Sequence, residues 1–125
     1  YFIGWLSDEE LRWHHYAADV FAFPSVTKNE AFGVALAEAM YCFTPAVTFT
    51  IEGSGVSWVN LNGVTGIEVP NKDGKAFGEA IDRLLSDRKL AEQYAKAGHL
   101  RVAENFTIQK MVERMNEVYD EIWIL

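Results

Sequence analysis

The feature that most limits what this chain can fold into is its alternation of short β-forming runs with helical segments. Phe2-Ile3-Gly4 reads as a short strand. "DVFAFP", Asp19 to Pro24, is a run of β-formers stopped by proline, the pattern of a strand buried on both faces. "TPAVTF", Thr44 to Phe49, and "GIEVP", Gly66 to Pro70, complete the set. Between the first two, Ser7 caps a helix with Glu9 and Glu10 in its first turn, where the helix dipole favours acids, and that helix should run to about Ala18. "NEAFGVALAEAM", Asn29 to Met40, is the next helix, and its alanines at 35, 37 and 39 let it lie close against a sheet. A loop rich in Gly and Ser, residues 51–66, leads to the last strand. Helices then follow from a cap at Asp73, over roughly Arg88 to Glu104, and from a cap at Thr107. Ala76, Phe77, Ala80, Ile81, Leu84 and Leu85 share one face of the first. Ile108, Met111, Val112, Met115, Val118, Tyr119 and Ile122 form a stripe on the third that reads as core, running on into Trp123-Ile124-Leu125. The order predicts an α/β fold with a mostly parallel sheet and helices packed on it.

At 125 residues and 50% hydrophobic, the chain can bury one core and is one domain or less. Its formal charge of −7 argues against a general nucleic-acid or membrane-surface binder, which needs basic patches. A small anion held by backbone groups and a local cation remains compatible. The one cysteine, Cys42, permits no internal disulfide, and its neighbours Met40, Tyr41 and Phe43 predict a buried thiol rather than a nucleophile. No apolar run approaches the ~20 residues of a membrane span. The chain begins inside an apolar stretch with no initiator Met, as a piece of a longer protein would. His14 and His15 diverge by about 100° on a helix, and His99 stands alone, so no metal site is expected. Trp58 is expected in the core.

In a doubly wound sheet, ligands bind beyond the carboxyl ends of the strands, where loops feed helix N-termini. "FAFPSVTKNEAFG" is such a junction. If its helix begins near Phe32 or Gly33, the free N–H groups of Gly33, Val34 and Ala35 face the crevice and can hold a phosphate. Glu30 precedes the helix and Glu38 lies about two turns inside it, roughly 12 Å away and on nearly the same face. One acid can accept from sugar hydroxyls and the other from ribose hydroxyls, with a diphosphate between. The alternatives are that Glu30 is a dipole-favoured acid, or that Glu38 pairs with an arginine or caps a loop. Ser25 follows a strand end, where its hydroxyl either contacts ligand or forms a turn. Gly53 and Gly55 either line a sugar pocket or permit a turn. Two carboxylates so spaced and projecting in parallel fit a glycosidase pair less well.

"PSVTKNEAFGVALAEAMYCFTPAV", Pro24 to Val47, resembles the E-x₇-E region of glycosyltransferase family 4, the retaining nucleotide-sugar transferases of the GT-B fold. "FIGWLSDEEL", "ADVFAFPS" and "GVTGIEVPNKDGKAFGEAIDRLLSD" agree in the same order, so the likeness covers essentially the whole chain. The resemblance implies a Rossmann-like parallel sheet with flanking helices, residues 1–125 forming a truncated nucleotide-sugar-binding domain without its N-terminal acceptor domain. It implies Glu30 on the donor sugar and catalytic, Glu38 on the ribose, and the amides of Phe32, Gly33 and Val34 on the diphosphate. It implies no metal and no cofactor beyond the donor.

The "EGSGVSWVNLNGVTG" variant is similar to bacterial polysaccharide and O-antigen transferases, several of which use mannose donors. GDP-mannose is therefore a candidate donor, with a glycan or lipid-linked acceptor and the protein's own N-terminal domain as partners. The implied enzyme is a cytoplasmic hexosyltransferase of surface polysaccharide synthesis, on the inner membrane face if other parts bring it there. The alternative is a non-catalytic nucleotide-binding or protein-interaction module. Three departures stand out: the family's diphosphate-gripping Arg and Lys lie in a segment not present, Phe43 replaces a usual Gly, and Lys28-Asn29 lengthens the approach to Glu30.

Overall fold

The computed structural model describes residues 1–124. Ser7 accepts from the Glu10 amide and the Glu10 carboxylate accepts from the Ser7 amide, so a complete capping box starts α1, Asp8–Ala17. Next come β1, Phe21–Phe23, α2, Val34–Tyr41, β2, Ala46–Phe49, α3, Val56–Val59, and β3, Gly66–Val69. α4, Gly74–Ser86, α5, Arg88–Asn105, and α6, Ile108–Trp123, complete the chain. Asp73, Asp87 and Thr107 cap these three through their side chains. The strands form a parallel sheet in the order β1-β2-β3, with Phe21 opposite Ala46 and Ala46 opposite Gly66. This is the α/β, Rossmann-like arrangement expected from the alternation.

β2 is central and buried throughout. Phe49 turns one way onto Phe77 of α4, ring centroids 4.6 Å apart. Thr48, on the opposite face, accepts from Asn60, and Thr65 closes the network by donating to Asn60. All three are buried polar groups that satisfy one another, and they tie the end of α3 to the sheet. Gly66 makes this fit possible: a Cβ there would lie 2.3 Å from the Ala46 carbonyl oxygen. Across the molecule, Gly98 of α5 meets the Met40 side chain of α2.

Several expectations are corrected. Phe2-Ile3-Gly4 is not a strand; it is exposed coil, because no described strand pairs with it and a strand holds only through its ladder. β1 is shorter than Asp19 to Pro24 and is not buried on both faces. It lies at the sheet edge, and Ala22 is exposed. The 51–66 loop contains the short helix α3. Trp58 is half-exposed rather than in the core, its ring edge-on to Phe106 at 4.8 Å. The stripe on α6 is not core either: that helix buries no residue, and Trp123 and Ile124 are exposed. Leu125 lies outside the described residues.

Candidate functional site

The site is built where β1 hands over to α2. Gly33 is the N-cap of α2 at φ 93°, ψ 61°, a left-handed conformation that glycine alone adopts without strain. The first intrahelical bond runs from the Ala37 amide to the Gly33 carbonyl. No side chain caps the helix, and the amides of Val34, Ala35 and Leu36 have no acceptor among the described residues. They form the partly positive end of a helix dipole. The Gly33 amide is different. It donates to Glu30 Oε1 at 2.9 Å, so it is not free as expected, because the chain folds back one turn and places the carboxylate on it. Glu30 Oε2 has no partner among the described residues.

A second loop holds this one from below. The Ser54 hydroxyl donates to the Glu30 carbonyl and the Gly55 amide donates to the Ala31 carbonyl at 2.7 Å. A Cβ on Gly55 would come within 2.8 Å of that same oxygen, so Gly55 is required for close backbone approach. Gly53, at φ 77° and with open space around it, simply turns the chain.

Beside the α2 N-terminus lies an open cavity of about 660 Å³, in the usual range for small-molecule sites. Phe32, Val34 and Glu38 line it together. Glu30, Gly33 and Ser25 do not border it. α2 buries Leu36, Ala37, Ala39 and Met40 and exposes the strip Val34, Ala35, Glu38 and Tyr41. The carboxylate therefore stays hydrated without a partner: it makes no ion pair and caps no loop among the described residues. Lys28 is exposed.

Two residues of the cavity wall escaped the sequence reading, Arg12 and His15 of α1. Asp8, Leu11, Arg12 and His15 fall at helical spacing on one face, which was the available signal. His15 is 7% exposed, its ring edge-on to Phe21 at 5.4 Å, and its buried Nε2 has no hydrogen-bond partner among the described residues. Burial pushes the imidazole pKa below its usual value, against the pull of nearby Glu38, so the ring is held neutral. Cys42 is buried nearby, and burial raises its thiol pKa, which makes it inert. No group of three or more metal-ligating side chains is found among the described residues, and no described helix is long and apolar enough to cross a membrane.

A parallel sheet flanked by helices, with an uncapped helix N-terminus and an acid beside one cavity between α1, α2 and the α5–α6 junction, is the arrangement of a Rossmann-like domain of the GT-B kind. The chain belongs to the family of glycosyl transferases group 1, whose pattern matches residues 1–101. It is 30% identical over 118 residues to the O-antigen chain mannosyltransferase C of Escherichia coli, covering 94% of this chain and 32% of that protein. Among solved structures it is similar to sucrose-phosphate synthase from Thermosynechococcus elongatus, with a TM-score of 0.86 and 30% identity over 98% of this chain and 30% of that one. It also shares the fold of Anabaena HepE in complex with UDP-glucose, with a TM-score of 0.79 and 19% identity over 90% of this chain and 30% of that one. The chain thus spans about a third of the length of these relatives.

Proposed function

We propose that this chain is the donor-binding part of a retaining, family 4 glycosyltransferase that moves a hexose from a nucleotide-diphosphate sugar to a glycan, lipid or other acceptor in bacterial surface polysaccharide synthesis. The observation that carries this reading is the left-handed cap at Gly33, which leaves the first amides of α2 unpaired beside a cavity that Glu38 also lines. Those amides, with that of Phe32, receive the diphosphate. Glu38 accepts from the ribose hydroxyls. Glu30, fixed through Oε1 by Gly33, offers Oε2 to the hydroxyls of the sugar.

Catalysis is then positioning plus stabilisation of charge on the departing diphosphate by fixed dipoles. No side chain is assigned as a covalent nucleophile and no metal is invoked. The likeness to an O-antigen mannosyltransferase supports GDP-mannose as donor, and HepE, a relative in fold, was solved with UDP-glucose. We place the working enzyme in the cytoplasm or against the inner membrane face, completed by an acceptor-binding domain.

The test is release of GDP or UDP from GDP-mannose or UDP-glucose by an enzyme in which this domain is joined to its acceptor domain. Glu30→Gln should slow turnover by about 100-fold or more, the scale on which removing one transition-state contact acts. Absence of turnover with every donor and acceptor, alongside retained nucleotide binding, would favour the non-catalytic module instead.

A further inference from the structure

The loop that carries Glu30 and Phe32 rests on α3, and α3 is held at its far end by one cation. Arg101 of α5 donates from Nε to the Trp58 carbonyl at 3.1 Å and to the Val59 carbonyl at 3.2 Å, and from Nη2 again to Trp58. These carbonyls are left over where α3 ends, and no other donor reaches them among the described residues. A planar guanidinium spans both, which a single ammonium would not do. The same group lies 5.5 Å from the centre of the Phe106 ring. Both contacts lead to the donor loop. Within α3 the Val59 amide donates to the Gly55 carbonyl, and Gly55 and Ser54 hold the Ala31 and Glu30 carbonyls. On the other side Phe106 meets Phe32 edge-on at 5.3 Å, and Trp58 stands edge-on to both rings. Arg101 itself does not border the cavity and makes no ion pair among the described residues, so neither a ligand nor a carboxylate explains its placement.

We propose that Arg101 is a positioning residue of the donor site: it holds α3 and Phe106 so that the Phe32 amide and the Glu30 carboxylate stand where the diphosphate and the sugar need them. This deepens the donor-binding reading and rests on it. Arg101 touches no part of the donor, and its effect is geometric. A displacement of about 1 Å caused by a remote change is enough to weaken a preorganised site many-fold. The clamp acts on both ends of one short stretch, on Phe32 through a ring and on Glu30 and Ala31 through their carbonyls.

The experiment is calorimetric titration of the 125-residue chain with GDP, UDP and inorganic pyrophosphate, alongside amide hydrogen exchange. It compares wild type with Arg101→Met, Arg101→Lys and Leu84→Val. Arg101→Met keeps the stem and removes the fork. It should weaken all three ligands about tenfold, and speed exchange by a similar factor at Gly33 and Gly55, whose amides donate to Glu30 and Ala31. Arg101→Lys keeps the cation but cannot hold two carbonyls at once, so it should fall between. As the milder change it carries the test if the Met variant misfolds. Leu84→Val, on the buried face of α4, is the control for stability alone. It should lower the unfolding midpoint and leave ligand affinity and the exchange of those two glycines unchanged. Ligand affinities unaltered in both Arg101 variants would overturn this assignment and leave the donor site standing. So would a weakening that Leu84→Val reproduces at equal loss of stability, because the role of Arg101 would then be structural only. A wild-type chain that binds none of the three ligands would overturn both.

Discussion

Phe43 closes α2 at φ 62°, a conformation that costs a residue with a Cβ about 1–2 kcal/mol. It is held there on two sides. The Phe43 amide donates to Met40 and the Thr44 amide to Ala39, the doubled closure that a glycine normally provides at a helix end. Its ring stacks on His99 at 3.9 Å and 10°, and an aromatic pair of this kind contributes about 0.5–1.5 kcal/mol. Strain and stacking nearly offset one another, so the loop keeps the left-handed geometry that a glycine would adopt without strain. Phe43→Ala, which loses the stack and keeps the strain, should cost about 1–2 kcal/mol. Phe43→Gly should stay close to wild type. Urea unfolding of the two variants checks this, and a Gly variant no more stable than the Ala variant would show that the strain is absent. At this scale the site was only half legible. Val34 and Glu38 lie on one local helix, so spacing alone brought them together, whereas Phe32 came from the family resemblance. Arg12 and His15 reach the same cavity only because α1 packs on α2. The bond from the Gly33 amide to Glu30 depends on a backbone reversal that side-chain types do not announce.

At the scale of elements, α4 and α6 carry the same kind of apolar stripe and meet different fates. α4 buries Phe77, Ala80 and Leu84 against the sheet, whereas α6 buries nothing. Gly78 sits on the exposed side of α4, and a Cβ there would meet nothing within 4 Å. Gly78→Ala should therefore stabilise the domain by about 0.5–1 kcal/mol through helix propensity alone, read as a shift in the denaturation midpoint with an unchanged slope. A destabilised variant would mean that this face of α4 packs against something. The same contrast explains what the sequence could tell about the fold. Caps at Ser7, Asp73 and Thr107 and the period of the apolar residues are local, so the helices they start came through well, whereas α2 begins at Val34 and not at Asn29. Whether a stripe is covered, whether β1 has a second neighbour, and whether Phe2-Ile3-Gly4 finds a partner are questions about other segments. α3 is a single turn in a Gly-rich loop, too short for any period to reveal.

For the whole molecule, the decisive fact is where the core stops. Its buried cluster runs from Phe23 to Val102, with Phe106 as a partly buried edge, and no member comes from α6. The family pattern matches residues 1–101, although the likeness to the O-antigen mannosyltransferase covers 94% of the chain. A 16-residue helix without tertiary burial is only marginally stable in water, so α6 should open independently of the rest. A chain ending at Phe106 should then keep its cooperative unfolding, with stability within about 1 kcal/mol of the longer form. Hydrogen exchange supplies the second measurement. Amides of β2, central and buried, should exchange only through global unfolding, while those of α6 should exchange orders of magnitude faster. Equal protection of α6 and β2, or collapse of the truncated chain to a non-cooperative state, would show that the last helix belongs to the folding unit. The exposed stripe would then have to be read as surface that the core cannot form without.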